Sequence, residues 1–163
     1  MLPEYRTLLE QAVNRKKENK AFLERLKKSR PADLDQTTNR LHDEAFEHID
    51  CLQCGNCCRT TGPLLLSKDV DRLAGHFRIR PAEFTERHLR IDEDGDYVFR
   101  SMPCPFLGGD NYCSVYENRP NACREFPHTQ QRDIREKLGI TYYNTMVCPA
   151  VAEVVERLKA HYR

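Results

Sequence analysis

The chain has 163 residues, 39% of them hydrophobic and 31% charged, with no Trp, a length suited to one domain with a thin apolar core. Its 26 Lys and Arg nearly balance 25 Asp and Glu, leaving +1, which excludes a globally basic nucleic-acid binder and a highly acidic disordered tail. No apolar run approaches the roughly 20 residues that cross a bilayer, and Met1-Leu-Pro-Glu-Tyr-Arg lacks a secretory pattern, so a soluble, cytoplasmic protein is expected.

Residues 1–30 read as helix. Tyr5, Leu8, Leu9, Ala12 and Val13 recur at helical spacing, and Phe22, Leu23 and Leu26 resume the stripe beyond a polar interruption at Arg15–Lys20 that exposes or splits the helix. Nine basic residues against four acidic ones make this stretch basic, which reads first as a solvated helix face. Arg30-Pro31 ends it, because the residue before Pro avoids helical geometry. A second helix is expected over 36–49, with Leu41, Ala45 and Ile49 on one face and Asp35 or Thr37 as its cap.

Gly62-Pro63 marks a turn before the apolar run Leu64–Leu66, and Ser67 looks like the N-cap of a helix carrying Val70, Leu73 and Ala74. Pro81 opens a short helix over 81–88. Two strands flank Asp94-Gly95, a hairpin signal in which the acidic residues serve the turn rather than calcium. Residues 103–128, rich in Pro, Gly and Cys, read as loops with one helical turn after Pro120. Val151, Val154, Val155 and Leu158 give a final helix opened by Pro149. The expected fold is mainly α with short β-strands, a small α+β arrangement. A metal-organised cysteine-cluster domain, 50–163, follows a helical hairpin, 1–49, that could pack over the metal core or pair with a second subunit.

Eight cysteines stand at 51, 54, 57, 58, 104, 113, 123 and 148, four of them packed into 51–58. Core use does not explain such clustering. Disulfides suit the even count but need an oxidising compartment to which the chain shows no route. Metal binding remains. Cys51, Cys54 and Cys57, two residues apart, can aim at one centre, and Gly55 permits the positive φ of a tight loop. Adjacent Cys57 and Cys58 diverge by about 100° on a helix or 180° on a strand, which points to two close centres or one polynuclear cluster.

Eight sulfurs divide into two sets of four, the number taken by tetrahedral zinc or an iron–sulfur cluster. One partition joins Cys51, Cys54 and Cys57 to Cys148, and Cys58 to Cys104, Cys113 and Cys123. Exchanging Cys104 with Cys148 is an alternative, since Pro follows both. Thiolate softness suits zinc, Cu(I) and iron–sulfur alike. One compressed cluster with scattered single cysteines, rather than two CxxC knuckles, favours an iron–sulfur cluster or iron, with zinc as the alternative. His128, just past Pro127, is the best placed of the six His to add a ligand.

Cys51-x-x-Cys54-x-x-Cys57-Cys58, Cys104-Pro-Phe-Leu, Cys113-Ser-Val-Tyr116, Arg119-Pro120, Cys123-Arg124-x-Phe126-Pro127 and Cys148-Pro149 together resemble the YkgJ-type CxxCxxCC cysteine-cluster family. The resemblance covers roughly residues 49–149. It implies a zinc- or iron-chelating domain, often described as iron–sulfur-containing, without a settled activity, and implies nothing for residues 1–48. At the family positions, Arg119 and Arg124 would offset thiolate charge or pair with Glu117 or Glu125. Tyr116, Phe106 and Phe126 would form an apolar shell around the metal, and Pro105, Pro120 and Pro127 would stiffen the loops.

Three functions are consistent with these residues. The metal completes the fold; or an open coordination site serves an enzyme or electron-transfer protein; or a metal carrier or sensor docks a protein partner through the basic arm, with Lys16, Lys17, Lys27 and Lys28 as contacts. No nucleophile–base pair is recognisable. Nucleic acid is not an expected partner, because eight basic and fourteen acidic residues over 31–99 offset the arm.

Overall fold

The apolar positions of the first thirty residues fall on two helices, α1 (Pro3–Asn14) and α2 (Lys16–Ser29), in the computed structural model, which describes residues 1–163. Only Arg15 leaves helical geometry, at φ −98° and ψ 14°, and the hydrogen-bond ladder runs on from Asn19 N–H to the Arg15 carbonyl at 2.9 Å. Arg30 takes a left-handed conformation ahead of Pro31 and ends α2, as expected. Next come α3 (Leu34–Phe46), the single turn α4 (Cys51–Cys54) and α5 (Asn56–Thr60). β1 (Leu64–Leu65) and α6 (Ser67–Phe77) follow, then α7 (Pro81–His88), β2 (Leu89–Ile91) and β3 (Tyr97–Phe99). A 3₁₀ turn at Tyr116–Asn118, α8 (Asn121–Glu125), α9 (Ile134–Asn144) and α10 (Pro149–His161) complete the chain. With 61% of residues helical and one small antiparallel sheet, the fold is mainly α with short strands.

Two expected caps are corrected. Asp35 lies inside α3, whose N-cap is Asp33, and its carboxylate instead accepts the N–H groups of Asp133 and Ile134 at 2.9 Å each, capping α9. Thr37 is likewise inside α3 and donates to Asp33 Oδ2 at 3.1 Å. Ser67 is the first residue of α6, and the orphan N–H of the preceding Leu66 is taken by Asp69 Oδ2 at 3.0 Å, half of a capping box. Sequence periodicity missed α9. Its Ile134, Leu138 and Thr141 do share a buried face, but Gly139 and the Thr-Tyr-Tyr-Asn run after Ile140 are indifferent helix formers.

The chain packs as two units, residues 1–54 with 127–163 and residues 55–126. The boundary expected at 49/50 follows the extent of the cysteine motif, whereas packing groups the N-terminal helices with the C-terminal ones. In the helical unit, α1 lies on α10, α2 on α9, and α3 on both. Tyr5, Leu9 and Ala12 of α1 and Phe22, Leu23 and Leu26 of α2 are buried there, and Val151, Val154, Val155 and Leu158 of α10 are wholly so. Each Val, Leu or Phe among them contributes about 1.5–3 kcal/mol through burial. Most of the apolar face of the N-terminal helices is covered within this unit, while Val13 of the α1 stripe stays exposed. Part of their basic charge is also met there: Arg15 pairs with Glu156 at 2.8 Å and Lys27 with Glu136 at 3.9 Å. Exposed pairs of this kind contribute little stability.

In the sheet-containing unit the strand order is β1-β3-β2, all antiparallel, with Leu64 opposite Val98 and Ile91 opposite Tyr97. Asp92 Oδ1 accepts the N–H groups of Asp94 and Asp96, and Gly95 sits at φ 86°, so the acidic run does serve the hairpin turn. Leu65, Val70, Leu73, Phe84, Leu89, Phe99, Phe106 and Val115 form its core, and the partly buried Cys104 and Cys113 pack against it.

Candidate metal centre

Short backbone links assemble the cysteines of residues 55–126. Gly55 stands at φ +57°, as the tight loop requires, and an added Cβ there would run into the Arg59 guanidinium. The residues that follow wind into α5, which carries Cys57 and Cys58. The expected divergence of these neighbours does not keep their sulfurs apart: the two Sγ atoms are 4.0 Å from each other, near the ~3.8 Å edge of a tetrahedron built with zinc–sulfur bonds of about 2.3 Å. A two-set reading therefore rests on the number of sulfurs and not on their divergence. Arg59 bonds the Asn111 side chain, tying α5 to the loop ahead of Cys113. The Cys104 N–H donates to the Cys58 carbonyl at 2.8 Å, and Cys113 bridges Leu107.

A buried ion pair holds the remaining cysteine of this unit. Asp69, with its side chain 2% exposed, takes the guanidinium of Arg72 at 2.6 Å and the N–H of Asn121 at 3.0 Å, at the start of α8, which bears Cys123. Arg72 in turn donates to the carbonyls of Arg119 at 2.9 Å and Asn118 at 3.3 Å. Sequence reading passed over both residues. The available signal was an acid at the third position of a helix, a capping site.

Arg124 makes no carboxylate pair; it donates to the carbonyls of Glu117 and Arg119, bracing the same loop. Arg119 also bonds a carbonyl, that of Tyr116, and stacks 3.7 Å over the Tyr116 ring. Burial raises the Cys113 and Cys123 thiols, and the Arg119 charge opposes that rise only in small part. Of the expected apolar shell, Phe106 is in the core, while Tyr116 is 45% exposed.

Cys58, Cys104, Cys113 and Cys123 lie within electrostatic reach of one another. The Cys58 thiol is brought down to about 7, first by its hydrogen bond with Cys57 and then by Arg59, against the effect of burial. Burial pushes Cys104 up to about 11 and Cys123 up to about 12, with the neighbouring thiols adding to both. Cys113 is raised for the same reasons. Like charges gathered in a half-buried site are unfavourable alone, and a cation relieves them.

In the helical unit, α4 places Cys51 and Cys54 three residues apart on one face of a turn. Asp50 opens that turn: its Oδ1 accepts the Leu52 N–H at 2.8 Å, and its carbonyl accepts those of Gln53 and Cys54 at 3.1 Å. Buried Cys148 is the N-cap of α10, its N–H bound to the Asn144 carbonyl at 2.8 Å. Burial raises its thiol to about 12, with Cys51 and Cys54 adding. His128 is half-buried with a left-handed backbone, and its Nδ1 accepts from Gln131 Nε2 at 3.2 Å.

No disulfide joins any of the eight cysteines. No three His, Cys, Asp or Glu side chains are grouped to hold a metal ion as they stand. The donor set fits the task, because clustered, partly buried thiolates are the ligands that zinc, iron and iron–sulfur clusters select. A family model, CxxCxxCC, with the description "Putative zinc- or iron-chelating domain", matches residues 50–149. No curated protein and no solved structure matches the chain.

Proposed function

Because the chain belongs to the CxxCxxCC family through residues 50–149, we propose that it is a metal-binding protein whose eight cysteines are the ligands and whose metal completes the fold of the loops that bear them. Cys58, Cys104, Cys113 and Cys123 form one set, and Cys51, Cys54 and Cys148 belong to another; Cys57 is the eighth ligand. An iron–sulfur cluster is the preferred occupant and zinc the alternative, since Cys-x-x-Cys-x-x-Cys with a distant Cys-Pro is a ferredoxin-like pattern. Bound metal would supply folding free energy to segments poor in regular structure.

The observation that carries this reading is the gathering of Cys58, Cys104, Cys113 and Cys123 within residues 55–126, each held by a backbone bond, a core contact or the Asp69–Arg72 pair. Arg119 supports it by placing positive charge where thiolates would form.

The test is elemental analysis with a visible spectrum on protein purified without oxygen. Iron with acid-labile sulfide and a visible charge-transfer band is the expected result. A colourless protein holding zinc alone would replace the iron–sulfur assignment by its alternative. Failure to retain either metal after anaerobic reconstitution would end the chelation reading.

A further inference from the structure

The matched domain begins at residue 50, yet a side chain near the start of α1 reaches the turn that presents its first cysteines. Tyr5 is only 3% exposed, and its hydroxyl spans two backbone groups beyond the end of α3. It accepts the N–H of Asp50 at 2.9 Å and donates to the carbonyl of His48 at 3.2 Å. Asp50 is the residue on which α4 is built, through its carboxylate to Leu52 N–H and its carbonyl to the N–H groups of Gln53 and Cys54. Without the phenol, the Asp50 amide would lose its partner at the point where the chain leaves α3 for the cysteine turn.

The packing of α1 makes this more than a local bond. α1 lies on α10, and α10 is capped by Cys148. Tyr5 thus stands on a helix seated against the element that carries the third thiol of this unit, while its hydroxyl grips the turn that carries the other two. We infer that Tyr5 is a positioning residue for the Cys51, Cys54 and Cys148 thiols, and that the helical extension is a working part of the metal module. The inference rests on the metal-binding reading above.

Tyr5→Phe keeps the ring in the core and removes only the hydroxyl. Thr7→Val is the control, since the Thr7 hydroxyl bonds only the Pro3 carbonyl of its own helix. Full-length proteins, stripped of metal, are titrated with Co²⁺ alone under anaerobic conditions, and sulfur-to-cobalt charge transfer is followed. Amide hydrogen exchange is measured on the same stripped proteins.

Tyr5→Phe should weaken part of the Co²⁺ titration by about tenfold or more, the usual effect of losing a residue that orients ligands. The amides of Asp50, Leu52, Gln53 and Cys54 should exchange roughly five- to tenfold faster, with those of α3 and α10 unchanged; Thr7→Val should alter neither readout. An unchanged Co²⁺ titration overturns the inference, and so does weakened binding without faster exchange in this turn. Should the parent chain take up no Co²⁺, the metal-binding reading fails, and exchange alone then decides: faster exchange upholds the positioning role of Tyr5, and unchanged exchange refutes it.

Discussion

Asp69 and Arg72 show how a pair of charges outside the cysteine motif shapes the site within it. Burial pushes the Asp69 carboxyl up, but donation from the Leu66 amide, the Arg72 guanidinium and the Asn121 amide outweighs it and leaves the pKa below the ordinary value. Replacing Asp69 with Ala strands a partly buried guanidinium and two amides, so a loss of about 2–4 kcal/mol is expected from urea unfolding at neutral pH. A carboxyl whose folded pKa is depressed stabilises at pH above its unfolded value, about 3.9, and that contribution disappears as pH falls through the folded value. The stability gap between the parent and Asp69→Asn should accordingly be full at pH 6 and shrink below about pH 4. A gap that stays constant down to pH 2 would show that the carboxylate charge carries none of it. The loop braced by Arg72 leads into α8, which carries Cys123, so Asp69→Ala should also weaken metal retention, read by competition with a chromophoric chelator.

Among the elements, α9 depends most visibly on a distant residue. Its own sequence is a poor start signal: Asp133 holds the N-cap position in a left-handed conformation, at φ 57°, and makes no side-chain cap bond. Asp35 of α3 supplies the missing acceptors. Asp35→Ala should cost about 0.5–2 kcal/mol, the range for a lost cap, and should speed exchange in the first turn of α9 without touching that of α10. Equal protection of α9 in parent and variant would show that packing on α2, α3 and α10 holds it without the cap. The same helix seats part of the basic N-terminal segment: α2 packs on α9, and Lys27 meets Glu136 on that helix.

At the scale of the molecule, the two units differ in what they can do without metal. The helical unit has a wholly buried α10 stripe and the aromatic and leucine faces of α1 and α2. The sheet-containing unit has three strands of two or three residues, and its segment 100–120 holds little regular structure beyond one 3₁₀ turn. Stripping metal with a strong chelator should therefore raise amide exchange across 104–123 by an order of magnitude or more, while α2, α3 and α10 keep most of their protection. Unaltered exchange over 104–123 after complete metal removal would mean that metal plays no part in holding those loops.

Local chemistry was enough to read the short-range features. Pro at the first position of α7 and α10, the Arg30-Pro31 stop, the Asp94-Gly95 hairpin and the left-handed Gly55 all follow from the backbone preferences of one or two residues. The mainly α class and the cysteine motif were legible for the same reason, since helical stripes and ligand spacing lie within a few residues along the chain. Tertiary structure alone decided which partner each polar group takes. Asp35 caps a helix 99 residues away, Tyr5 bonds a backbone 45 residues away, and Asp69 reaches Asn121 across 52. Such bonds answer donors buried by packing, and a donor's burial depends on the whole arrangement of helices rather than on its neighbours in the chain.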